Sequence, residues 1–271
     1  MRHTTPLTAV ASAVILLGAA PLFAQGGPPL LTDDPDTPGP RHWEINLSMF
    51  GERMRHERRT EEPRLDLNYG VGRRIQLKLE APWVARTSDE SGHATGLGDT
   101  TMGVKWRFLG QEHRKIAWSV YPQYEFSPSS SSVRKGIAAD GHALLLPTEM
   151  TLELSAFEVN VEVGRNLVSA GANEWVYGLA TEAAIGKRLE LLGEMHGVSP
   201  AGQPTELIVN GGARGKITRQ LTLMLALGHA LHGSEEDRRR LLVYAGLQLN
   251  LPEAFDFDKA ETAAARLVRL R

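Results

Sequence analysis

The sequence predicts an all-β fold, a single antiparallel transmembrane barrel of about twelve strands. Three observations carry that expectation. From residue 42 to residue 251, segment after segment is apolar at one parity and polar at the other. Short turns and longer polar loops alternate between the segments. The tryptophans share the parity of the aliphatic side chains and fall toward segment ends. Each segment runs for roughly nine to eleven residues, the length of a tilted membrane-crossing strand.

The chain opens on a basic start, Met1-Arg2-His3, followed by an apolar run from Ala9 to Ala20. That run falls short of the ~20 residues a spanning helix needs. With the small residue Ala24 at the end of Pro21-Leu22-Phe23-Ala24, residues 1–24 read as a cleaved secretory signal. Residues 25–41 are a Pro- and Asp-rich lead, expected in the periplasm. Its prolines keep it from adding itself to a sheet. Asp33, Asp34 and Asp36 lie close enough in sequence to the first strand to reach the lower lumen or the basic short turns, as a plug or latch. The order of an EF-hand calcium loop is absent, and Pro35 and Pro38 interrupt the run.

Barrel strands are expected at 42–51, 63–71, 74–83, 99–109, 116–126, 147–155, 157–165, 174–185, 188–196, 206–216, 220–229 and 240–251. The third shows the pattern best: Ile75, Leu77, Leu79, Ala81 and Trp83 alternate with Gln76, Lys78 and Glu80. Short turns are expected at 72–73, 110–115, 156, 186–187 and 217–219, and long loops at 52–62, 84–98, 127–146, 166–173, 197–205 and 230–239. An even strand number with this alternation puts the turns and both barrel ends in the periplasm. The loop at 127–146, with Ser129 to Ser132 and Gly136, is expected to be mobile. "GRRIQLKLE" from Gly72 and "GKRLELLGE" from Gly186 repeat one hairpin chemistry.

The aromatic residues decide which face meets lipid. Trp43, Tyr69, Trp106 and Trp118 fall near the turn ends; Trp83, Tyr124, Trp175 and Tyr177 fall near the loop ends. Two belts on an apolar face suit two lipid–water interfaces, whereas a soluble barrel tends to put large aromatics at mid-strand. The other parity then lines the lumen: Glu44, Asp66, Lys78, Glu80, Lys105, Arg107, Glu125, Glu149, Glu153, Glu158, Glu162, Glu182 and Arg214, acids in excess. Such charges can leave a narrow, cation-preferring path or close the lumen by pairing, and the sequence allows both. Arginines and lysines in the short turns could meet anionic headgroups.

"LLTDDPDTPGPRHWEINL" (Leu30 to Leu47), "PRLDLNYGVGRRIQLKLEAPW" (Pro63 to Trp83) and "GLGDTTMGVKWRFL" (Gly96 to Leu109) together resemble the outer-membrane β-barrel family annotated around the meta-pathway of phenol degradation. The resemblance covers roughly the first third of the chain. It implies a bacterial outer-membrane location and passage of small molecules, aromatic ones among them. Barrels of this kind commonly end on a strand with a terminal aromatic read by the outer-membrane assembly machinery, but here "YAGLQLNL" is followed by a tail, residues 252–271. Asp258 and Glu261 in capping-box spacing allow a short helix there, or a frayed end.

The expected partners are therefore outer-membrane lipids, the assembly machinery and a small-molecule solute; the oligomeric state is left open. A formal charge of −2 argues against nucleic acid, and an exported chain with no Cys is built without disulfides. No catalytic residue, cofactor or metal is expected: there is no G-x-S-x-G stretch, and His229 and His232 lack a nearby thiol or carboxylate at ligand spacing. The expected function is a passive channel or facilitator for small organic solutes. A closed barrel with a structural role and a lipid-acting enzyme are the alternatives.

Overall fold

The structure, a computed structural model, describes residues 27–110, 115–235 and 238–252. The signal segment and the tail beyond Pro252 lie outside the described residues, and so does the helix allowed there.

Among the described residues there are fourteen strands and one short helix: β1 (Trp43–Arg53), β2 (Glu57–Val71), β3 (Ile75–Ser88), β4 (Gly92–Leu97), β5 (Thr100–Leu109), β6 (Ile116–Val120), β7 (Gln123–Phe126), α1 (Ser130–Arg134), β8 (His142–Glu153), β9 (Glu158–Val168), β10 (Glu174–Ile185), β11 (Leu189–Pro200), β12 (Glu206–Lys216), β13 (Leu221–His232) and β14 (Leu241–Leu251). They make twelve staves. β4 and β5 form one stave along β3, where Trp83 faces Leu97 but Glu80 faces Thr101, so one extra residue is taken up at Gly98-Asp99 as a bulge. β6 and β7 form another, interrupted at Tyr121-Pro122, since both pair with β5 and with β8. Pairing of β1 with β14, from Trp43–Leu251 to Arg53–Leu241, closes the ring. All the pairings are antiparallel, and closure leaves no stave as a free edge.

The period-2 pattern sets which side chains point outward, and it is inverted relative to a water-soluble protein. Leu47, Trp106 and Leu79 are 52%, 51% and 39% exposed, while Glu149 and Asn160 are 0% exposed. An apolar skin around a polar interior is the arrangement of a barrel surrounded by lipid. The rings cluster at two heights. At the short-turn end Trp43 meets Tyr69 at 4.7 Å, and Phe108 bridges Trp106 and Trp118 at 5.7 and 5.5 Å. Toward the loop end Tyr124 stacks on Phe126 at 5.9 Å, and the Arg165 guanidinium lies over Trp175 at 5.2 Å. Trp83 and Tyr177 face outward at the same end. Tyr69 is half-buried against Trp43.

The strand ends differ from expectation on the loop side. β2 and β3 run on to Glu57 and Ser88, so the loops expected at 52–62 and 84–98 shrink to 54–56 and 89–91. Beyond the girdle both parities turn polar, as in Arg58-Arg59-Thr60-Glu61, and a strand polar on both faces carries no period-2 signal. β8 likewise begins at His142 rather than 147. At the opposite end Gly72 and Gly186 take φ of 65° and 70°, the left-handed geometry that lets the two related hairpins turn tightly.

The segment expected to be mobile is instead packed. Ser129 caps α1, Ile137 is wholly buried, and the Ala139 amide donates to both carboxylate oxygens of Asp99 at 3.1 and 3.0 Å. With Arg59 donating to the Ile137 carbonyl at 2.8 Å, this segment folds inward over the β2–β4 wall.

Leu79 sits midway between the girdles, paired with Leu67 and Met102. Leu79→Arg is expected to destabilise the lipid-embedded barrel by about 2–4 kcal/mol, read from denaturant unfolding in phospholipid vesicles.

Candidate functional site

Twelve staves enclose more space than their own side chains fill, and residues 27–38 enter that space. The lead leaves β1 at the short-turn end, where Arg41 and Gly70 share a backbone hydrogen bond of 2.8 Å, and climbs the lumen. It turns over at mid-height and descends. The turn is held internally by Leu30 N–H donating to the Gly27 carbonyl (3.0 Å) and Gly27 N–H to the Thr32 carbonyl (3.1 Å).

Three groups of lumen side chains grip it. The first centres on Lys105, whose side chain is 2% exposed. Its ammonium pairs with Asp33 at 2.8 Å, Glu149 at 3.5 Å and Asp34 at 3.9 Å, donates to the Asp34 carbonyl, and sits 4.6 Å from the centre of the Tyr121 ring. One turn-ward step along β5, Arg107 pairs with Asp36 at 2.6 Å. Burial pushes the Asp33 carboxyl up, but Lys105 and Lys78 outweigh it and hold Asp33 below its ordinary value. Asp34 goes the other way: burial, followed by the neighbouring Asp36 charge, pushes it well above the ordinary value, with Lys105 opposing.

The second group is inverted in sign, carboxylates of the wall accepting from amides of the lead. Glu194 accepts from the N–H groups of Leu31 (3.1 Å) and Thr32, and Glu162 from that of Asp33 at 2.9 Å. The third is Arg214, which donates to the carbonyls of Gly27 (3.2 Å) and Pro28 (3.0 Å) while pairing with Glu182 at 2.8 Å and Glu190 at 3.2 Å. Such charge-assisted bonds are about twice as strong as neutral ones.

Apolar contacts complete the seat. Leu30 packs with Ala180 and Leu192, and Leu31 packs against Ile208, Ala230 and Leu242. Thr32 lies directly on Gly178, where even a Cβ would collide with it. Beside the lead, a space bounded by Asp34, Glu44, Asp66, Lys78 and Lys105 is a cavity of about 20 Å³. That is room for about one water, so the lead sits close against this side of the wall.

The lumen charges fall into separate groups. Lys105, Arg107, Glu149, Glu162, Glu182 and Arg214 touch the lead or one another around it. Lys78, Glu80 and Asp66 form a ladder on β2 and β3 with Arg64, whose bond to Glu80 is 2.7 Å; Glu44 joins through Asn46. Glu125 stands apart, exposed at the loop end of the lumen, and Glu153 and Glu158 stand opposite each other at the short-turn rim. Glu194, one of the acids whose parity points it inward, lies where that parity puts it. Three contributors escaped the charge-based reading: Tyr121, Gly178 and the apolar strip of Phe50, Ile208, Met224, Leu242 and Tyr244. Their signal is weak, a small or apolar residue at a lumen-parity position. Among the described residues, no group of three or more His, Asp or Glu side chains is placed to hold a metal ion.

No family model and no curated protein matches the chain. Solved structures do. The COG4313 outer membrane channel from Pseudomonas putida F1 superposes with a TM-score of 0.66 at 10% identity, covering 84% of this chain and all of that one. The NanC porin gives 0.55 at 8% identity, and the KdgM porin in complex with disordered oligogalacturonate gives 0.51 at 9%; each covers 76% of this chain and 98% of its own. At such identities the likeness establishes a shared fold, the closed antiparallel barrel of outer-membrane proteins.

Lys105→Met would leave Asp33, Asp34 and Glu149 buried without their cation. Stranding a buried charge costs about 3–5 kcal/mol, so the lead is expected to become cleavable by protease in the folded barrel. Arg107→Met, nearer the rim, should have a smaller effect in the same assay.

Proposed function

We propose that this protein is a bacterial outer-membrane channel for small organic solutes, with its short turns in the periplasm, and that residues 27–38 are its plug. The observation that carries the reading is the way the lumen is filled. The wall does not close on itself through its own side chains; a separate segment occupies it, tethered at one end by β1 and held by ion pairs and amide–carboxylate bonds rather than by strand pairing. Contacts of that kind are reversible, and no energy source is needed for flux down a gradient.

Displacing the lead would uncover two unlike surfaces facing each other. On one side is the apolar strip, Phe50, Met224, Ile208, Leu242 and Tyr244. On the other are carboxylates in excess over Lys105 and Arg107. A small molecule with an apolar body suits the first, and a cation-preferring field comes from the second. This supports the aromatic or hydrophobic solutes implied by the resemblance to the phenol meta-pathway family, and the three porin-like neighbours are consistent with a conduit. The cavity of about 20 Å³ favours a second reading, a sealed barrel with a structural role.

Planar-bilayer recording separates the two. Deleting residues 27–37, or placing a side chain beneath Thr32 with Gly178→Val, is expected to raise single-channel conductance several-fold over wild type and to favour cations. Silence from both variants, with the barrel folded and inserted, would leave the sealed reading standing.

A further inference from the structure

Outside the lumen, one concave feature of the wall has no role in holding the lead. Near the loop end of β1, β2, β3 and β14 the outer surface is indented into a groove of about 1010 Å³. Met49, Trp83, Ala85, Leu241 and Val243 give it an apolar lining, and Gly51 leaves its floor open, with nothing within 4 Å of where a Cβ would stand. Arg53 and Arg58 stand over it as direct cross-strand partners. Glu62 is the outward-facing acid of the lining.

Two like charges directly opposite on adjacent strands repel. Neighbouring Arg59, Arg86 and Arg239 each pair with a carboxylate, of Glu61, Glu57 and Glu52 respectively. Among the described residues, Arg53 and Arg58 have no carboxylate within ion-pair distance. Their height is informative. Trp83 marks the upper girdle, and Arg58 faces Thr87, four residues farther along β3. At about 3.3 Å per residue the pair stands roughly 13 Å along the strand beyond the ring, above the hydrocarbon and level with headgroups. Two planar guanidinium groups at that level match the oxygens of a phosphate, and the apolar groove beneath them matches the start of an acyl chain.

We infer that this groove binds a phosphorylated glycolipid of the outer leaflet, of the lipid A type, with its phosphate on Arg53 and Arg58, its acyl portion along Met49, Trp83 and Val243, and Glu62 accepting from a sugar hydroxyl. The inference rests on the proposal that the barrel spans an outer membrane with its loop end outside. A specifically held lipid would neutralise the arginine pair and fill the indentation, so the outer wall is complete only in its membrane.

The test compares wild type, Gly51→Trp, which fills the groove without touching charge, and the double variant Arg53→Ala/Arg58→Ala. All are purified from bacterial outer membranes in mild detergent and examined by native mass spectrometry. Wild type is expected to retain a lipid A adduct, and each variant to retain at least tenfold less while still showing heat-modifiable migration. Equal retention by all three overturns the inference, as does displacement of the adduct by an equal concentration of phosphatidylglycerol. Loss in Gly51→Trp with full retention in the arginine variant would mean an apolar occupant and also overturns it. A wild-type protein absent from the outer membrane, or without heat-modifiable migration, would instead remove the membrane reading on which the inference stands.

Discussion

Closing twelve staves into a ring fixes a lumen wider than side chains from the wall can pack, and lipid outside forbids the barrel from collapsing to remove it. The interior is therefore left to water or to chain from outside the wall. Among the described residues two segments enter it. The lead enters from the short-turn end, and the segment carrying α1 folds in from the loop end, each bringing backbone amides and carbonyls that need partners in a space closed to bulk water. The alternation of the strands supplies the partners, because every second residue of every stave is delivered inward whether or not it is apolar.

The electrostatics follow from that supply. Wall carboxylates exceed wall cations around the lead, yet the lead itself brings Asp33, Asp34 and Asp36, which would worsen the imbalance. The arrangement resolves it by using the two faces of the lead differently. Its side-chain acids are directed to Lys105 and Arg107, while its N–H groups are directed to Glu194 and Glu162 and its carbonyls to Arg214. Buried ion pairs seldom add much net stability over a well-packed apolar core. Their value here is positional: they set the depth and the sense of the turn in a segment with no strand pairing of its own.

Much of this was legible in the sequence. The stave number follows from period-2 alternation, the strongest local signal a strand has; the tight turns follow from Gly72 and Gly186, and the outward exposure of Leu79 against Lys78 from the parity it shares with the aromatic residues. The two girdles were legible because Trp43, Trp83, Trp106, Trp118 and Trp175 share one parity. What was not legible depends on contacts distant in sequence. Gly178 and Ala180 read as unremarkable small residues, and only the approach of Thr32 and Leu30 from about 150 positions away shows why nothing larger stands there. Tyr121, next to Pro122 at a strand interruption, gave no sign of packing on Lys105. The strand extensions of β2 and β3 were hidden because residues beyond the membrane are polar on both faces, and the folded segment 127–141 was hidden because its serines resemble those of an open loop.

The central claim is that the lead occupies the lumen of the folded barrel. The chain has no cysteine, so the double variant Leu30→Cys/Ala180→Cys introduces a single pair of thiols, one on the lead and one on the β10 wall, at positions packed against each other without adding a Cβ where none fits. Oxidation of the folded protein in membranes should join them nearly completely, giving a cross-linked species of altered gel mobility that reverts on reduction. Failure to cross-link, together with full labelling of the thiol at position 30 by a water-soluble maleimide, would contradict the account and place the lead outside the barrel.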